Sequence, residues 1–164
     1  MYYPYDLARF ALAEFARGVE GLTDDEARTR LTKADGTQMN AISWIAGHIA
    51  GHWLRRPARL DRFDFGSNDA TPPSLEEALQ LLGEAQATIA AIGNADDALL
   101  SSKPGGGRDP GENIGTAIMR AVLHTWFHTG EINAIRQMLG HPEISFVGQM
   151  IGNLEWRSGE RPSS

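Results

Sequence analysis

Glu112-Asn-Ile-Gly-Thr-Ala-Ile-Met-Arg-Ala-Val-Leu-His124-Thr-Trp-Phe-His128-Thr-Gly-Glu131-Ile-Asn-Ala-Ile-Arg-Gln-Met-Leu-Gly140 is an unbroken helical pattern. No proline interrupts it, and Gly140 followed by Pro142 supplies a stop, so a helix is predicted over about 112–139. With His128 at zero and about 100° per residue, His124 falls near −40°, Ala121 near +20°, Ile132 near +40° and Ile135 near −20°. Both histidines therefore sit inside the apolar stripe, while Asn133 and Gln137 lie on the far side.

Three further helices are read upstream. Leu7, Ala11, Phe15, Val19 and Leu22 recur at spacings of four or three and predict a helix over about 5–21. Thr23-Asp-Asp-Glu26 has the form of a capping box and marks a short helical turn. Asn40 as N-cap and Pro57 as stop bracket a helix over about 40–56. Trp44, Ile45, His48, Ile49, His52 and Trp53 spread over a wide arc of it, so it is buried on more than one side; Ile42, Ile49 and Trp53 are the candidates for a subunit contact. Residues 60–73 read as a loop. Ser74-Leu-Glu-Glu77, after Pro72-Pro73, is a second capping box and opens a helix whose core face is Leu75, Leu79, Leu82, Ile89 and Ile92.

Between Asn94 and Gly111 the chain is rich in glycine and proline. A phosphate-binding loop is one reading, but no Gly-Lys-Ser/Thr opens a helix there, so a crossover loop is the better one. Strand signals are weak: only three valines occur and no segment alternates apolar with polar residues. The fold class expected is therefore all-α, an antiparallel four-helix bundle with a long loop before the last helix. The bundle spans residues 1–150, with a helical turn around 146–154. Residues 151–164 form an extension with a frayed end.

Composition bounds the function. A chain of 164 residues suits one domain. The net charge of −6 argues against a nucleic-acid partner, which needs a basic stripe, and against an anionic membrane surface. No apolar run approaches the ~20 residues of a membrane span. The absence of cysteine excludes disulfides, thiolate metal sites and a thiol nucleophile of the protein's own. No signal peptide is read at the start, and a cytoplasmic location is expected.

The five histidines are His48, His52, His124, His128 and His141. His48/His52 and His124/His128 form i, i+4 pairs, each with both rings on one helix face. A lone core histidine is ordinarily a packed side chain. Two pairs on core faces of one small bundle point instead to a divalent metal, because unpaired buried imidazoles are costly and neutral imidazole is a ligand for Zn, Ni, Cu and Fe. Ala46, Gly47, Ala50, Gly51, Ala117 and Ala121 either permit close helix packing or leave room beside a ligand. His124-Thr-Trp-Phe-His128 lacks the glutamate of a zincin, and no Glu-x-x-His of a di-iron carboxylate bundle occurs. Nothing specific supports a bis-histidine haem. His141, beside Pro142, reads as an exposed turn residue.

Three features together resemble the DinB-like superfamily: Asn40-Ala-Ile-Ser-Trp-Ile-Ala-Gly-His48-Ile-Ala, then His124-Thr-Trp-Phe-His128-Thr-Gly-Glu131-Ile, then Ile135-Arg-Gln-Met-Leu-Gly140. The resemblance covers about residues 5–150. It implies a bundle, often a homodimer, holding one divalent metal (Zn or Ni first, Fe next) on His48, His124 and His128. It leaves His52 as a group that supports a ligand from behind, a cavity residue or a fourth ligand. Some members carry Arg-Gly-Gln after the last histidine, where this chain has Thr129-Gly130-Glu131. Glu131, at the edge of the core face, is a candidate to orient a ligand histidine or act as a base, against the simpler reading of a surface carboxylate.

Members of known activity are thiol-dependent S-transferases and isomerases using low-molecular-weight thiols. The function implied is therefore a metal-dependent transferase or hydrolase acting on a small-molecule substrate, with any thiol supplied as cofactor or substrate. Three neutral ligands leave an open position, as catalytic sites do. The alternative is a non-catalytic, stress-related dimeric interaction module whose metal site is structural or vestigial.

Overall fold

The computed structural model describes residues 4–54, 71–91, 97–103 and 111–146. These are all-α: α1 (Pro4–Arg17), α2 (Asp24–Arg28), α3 (Ile42–Leu54), α4 (Leu75–Ala91), α5 (Asp97–Ser101) and α6 (Ile114–Met138). The only strand-like pairing among the described residues is an isolated bridge between Thr32 and Gln38.

The helix ends follow local chemistry. Thr23 Oγ accepts from the Glu26 amide at 3.3 Å while the Glu26 carboxylate accepts from the Thr23 amide at 2.8 Å, closing the expected capping box. Ser74 and Glu77 close the second one at α4, at 3.1 and 3.2 Å. Asn113 caps α6 by accepting from the Thr116 amide at 2.8 Å. At the other end Gly140 takes φ of 95°, and the amides of Gly140 and His141 return to the carbonyls of Gln137 and Arg136, a Schellman stop that needs a residue at ease with positive φ.

The four long helices pack in the order α1, α4, α3, α6 and back to α1. Their directions follow from residue pairs. Phe10 meets Trp126, and eight residues on Gly18 accepts from Arg136, so α1 and α6 run the same way. Asn40 meets Glu131 and Trp53 meets Thr125, so α3 runs opposite to α6. The simple antiparallel arrangement therefore does not extend to the α1–α6 pair. Gly18 lets that pair close: a Cβ there would stand 3.0 Å from the Phe15 carbonyl and 3.2 Å from Ile132.

The core contains Leu12, Phe15, Ile42, Ile45, Ile49, Leu82, Ile132 and Ile135, all fully buried. Several sequence expectations change here. Ile42 and Ile49 are fully buried and Trp53 is 8% exposed within the single chain, so they are core residues and not a subunit face. Helix α3 is apolar all round because it packs on α4 on one side and α6 on the other. On α4 the core positions are Ala78, Leu82, Ala85 and Ile89, whereas Leu79 is largely exposed; two alanines bring α4 close. The expected loop at 94–111 contains α5, which packs on α6. Asn40 lies two residues ahead of α3 and does not cap it. His141 is half-buried, its Nε2 3.1 Å from Glu26 Oε1. Ile92, the glycine loop at 104–110, most of the 60–73 loop, the turn beyond Phe146 and the 151–164 extension lie outside the described residues.

A buried hydrogen-bond chain ties α3 to α6: Trp53 Nε1 donates to Thr125 Oγ at 3.0 Å, and that hydroxyl donates to the Ala121 carbonyl at 2.9 Å. Thr125→Val keeps the shape but strands the indole N–H. Urea denaturation should show a loss of about 1–3 kcal/mol, the cost of an unsatisfied buried donor. An unchanged midpoint would show that the chain contributes nothing.

Candidate metal centre

Helix α3 brings His48 to the seam with α6, and α6 presents His124 and His128 to it one turn apart. Trp44, one turn before His48, stacks on its ring with centroids 4.9 Å apart and planes 8° from parallel. The three imidazoles meet edge to face, with centroid separations of 5.0, 5.2 and 4.7 Å. Their Nε2 atoms converge: His48 to His124 at 3.3 Å and His128 to His124 at 3.1 Å. The three side chains can hold a metal ion.

Two arguments favour a cation between them. Nitrogens bound tetrahedrally to one zinc at ~2.0–2.1 Å stand ~3.3–3.4 Å apart, and narrower angles bring them closer, so 3.1 and 3.3 Å fit. Proton counting gives the second. A neutral imidazole carries one N–H, and the Nε2 of His124 faces two other Nε2 atoms, so it cannot pair well with both. A cation accepts all three lone pairs at once.

Each ring has a different environment. His128 is 6% exposed, and its Nδ1 lies 2.7 Å from Glu131 Oε2. That contact puts the ring proton on Nδ1 and leaves Nε2 bare toward the cluster. Burial pushes the Glu131 carboxyl up, but hydrogen bonds from His128 and Asn40 outweigh this and hold it below its ordinary range. His124 is pushed down to about 4, first by burial and then by the neighbouring His128, His52, His48 and Arg120. It is neutral at physiological pH, as a metal ligand must be.

The remaining candidates fall around this cluster. The His52 ring packs edge-on against His124 at 5.0 Å, and the converging nitrogen group is made by the other three. Glu131 sits at the site, against the simpler reading of it as a surface carboxylate, and its second oxygen accepts from Asn40 Nδ2 at 2.8 Å. Asn40 is the residue that sequence reasoning assigned to another task; it lies 91 positions from its partner, and no local signal links the two. Arg136 points away, donating to the carbonyls of Gly18 and Glu20, and Arg120 pairs with Glu112. Ala46, Gly47, Ala50, Gly51, Ala117 and Ala121 are all buried, as close helix packing requires. Among the described residues no helix is long and apolar enough to cross a membrane.

Comparison of the chain with protein-family models, with curated proteins and with solved structures gives no match.

The depressed His124 value has a defined sign. The unfolded ring takes a proton near 6.5 and the folded one only near 4, so stability linked to this ring is present above about pH 6.5 and is lost as pH falls toward 4. NMR titration of the metal-free protein should place the His124 midpoint near 4. A midpoint near 6.5 would contradict the packing of this ring.

Proposed function

We propose that the chain binds one divalent transition metal, Zn or Ni first and Fe next, through Nε2 of His48, His124 and His128. We further propose that it is a cytoplasmic, DinB-like, homodimeric enzyme of the thiol S-transferase or hydrolase type acting on a small molecule. The observation that carries this reading is the convergence of the three Nε2 atoms at 3.1 and 3.3 Å on the seam of α3 and α6.

The ligand set supports catalysis over a purely structural role. Three neutral imidazoles leave an ion its full charge and an open position, whereas closed structural sites use four protein ligands. When bound, the metal would lower the pKa of a coordinated thiol or water and stabilise the resulting anion. The chain's own residues prepare for that. Trp44 holds the His48 ring by stacking, Glu131 holds His128 by a hydrogen bond, and burial keeps His124 neutral. With no cysteine in the chain, a thiolate would come from a low-molecular-weight thiol. His52, whose ring packs edge-on against that of His124, is the nearest further imidazole to the cluster.

A second reading rests on a different observation. Leu123 and Phe127 on α6 are 67% and 70% exposed beside the histidines, an apolar pair suited to a protein contact. In that reading the chain is an interaction module and the metal site is structural or vestigial.

Metal analysis by mass spectrometry tests the ligand assignment on which the enzyme reading depends. The untagged protein should hold about one metal per chain. His48→Ala and His128→Ala should each lose it while keeping their helical circular dichroism. Full occupancy in either variant would overturn the ligand assignment. A wild-type chain that takes up no metal under any loading condition would leave the interaction module.

A further inference from the structure

The carboxylate of Glu131 is held from two sides by two helices. Its Oε2 lies 2.7 Å from His128 Nδ1, one turn back on α6, and its Oε1 accepts from Asn40 Nδ2 at 2.8 Å, just ahead of α3. Both side chains of the histidine contact are largely shielded, with 8% exposure for His128 and 18% for Glu131. A carboxylate with one anchored oxygen has little freedom to rotate, so its other oxygen is presented in a fixed direction.

We infer that Glu131 and Asn40 are positioning residues for metal binding: Asn40 fixes the Glu131 carboxylate, which locks His128 as its Nδ1–H tautomer with Nε2 turned into the cluster. The inference rests on the metal-centre reading and adds the device that makes one ligand ready in advance. An imidazole can otherwise flip about its Cβ–Cγ bond, or carry its proton on Nε2, and either change removes the donor from the site. The anchored carboxylate opposes both. Its negative charge also strengthens the imidazole as a donor and offsets half of a divalent ion's charge in a partly dry site. The Asn40 Oδ1 atom is buried with no hydrogen-bond partner, so the side chain is placed here by its amide nitrogen, the end that faces Glu131.

Three variants of the full chain test this: Glu131→Ala, Glu131→Gln and Asn40→Ala. Zinc affinity is measured by competition with a chromophoric chelator, and the histidine tautomers of the metal-free proteins by long-range proton–nitrogen NMR. Metal-free wild type should show His128 protonated on Nδ1. Glu131→Ala should lose that signature and bind zinc about 10–100-fold more weakly. Asn40→Ala should move both readouts in the same direction by less. Glu131→Gln should keep the tautomer, since the Asn40 amide can turn its free Oδ1 to the new NH2, and should fall between wild type and Glu131→Ala in affinity; it carries the test if the alanine variant fails to fold. Wild-type zinc affinity in both Glu131 variants, with an unchanged His128 tautomer in Glu131→Ala, would overturn the positioning role alone. A wild-type chain that binds no zinc would overturn the metal-centre reading, and this role with it.

Discussion

Three imidazole nitrogens point at one another across the seam of α3 and α6, and much of the structure is organised around that constraint. Lone pairs at 3.1 and 3.3 Å cannot all be satisfied by the one proton each ring carries. Holding them there takes work from the rest of the chain. Helix α6 must run unbroken from Ile114 to Met138 so that His124 and His128 share a face with Ile132 and Ile135. Helix α3 must run against it in the opposite sense, so that Asn40 reaches Glu131 at one end and Trp53 reaches Thr125 at the other. His48 and His128 lie between these two polar ties and His124 one residue outside the second, and the ties fix the two helices in register.

The same arrangement explains the electrostatics. Burial makes the charged form of His124 costly, and three neighbouring rings add to that cost, so the imidazole stays neutral to about pH 4. Glu131 faces the opposite pressure: burial alone would favour its acid form, yet two donors keep it ionised. A cluster of converging imidazole nitrogens with one anchored anion behind it suits a small divalent cation better than it suits an empty polar pocket. Arg120, paired with Glu112, also disfavours the charged form of His124, whereas Arg136 is turned away to the carbonyls of Gly18 and Glu20.

Much of this was legible from the residues, and the exceptions have physical causes. Thr23/Glu26, Ser74/Glu77 and Gly140 act within a few positions of themselves, so their caps and stop could be read directly. The wheel of α6 placed His124 and His128 on the inner face because a 3.6-residue period survives folding. Helix α3 defeated the same method: it packs on two neighbours, so its wide apolar arc gave no outside, and Ile42, Ile49 and Trp53 are core. Leu79 is large yet exposed, whereas the small Ala78 and Ala85 are buried and allow the close approach of α4, so side-chain size does not mark the inner face there. The shared direction of α1 and α6 depends on connections between helices, which periodicity does not encode. Asn40 looked like a cap because its partner is supplied by another helix.

The claim on which the rest depends is that three histidine nitrogens, and three only, hold a metal at this seam. X-ray absorption spectroscopy on the zinc-loaded protein addresses it directly. The account predicts three imidazole nitrogens at ~2.0–2.1 Å and one further light ligand from water or a small molecule. Four imidazoles would bring His52 into the coordination sphere and close the site. Fewer than three would contradict the convergence of His48, His124 and His128 as a metal centre.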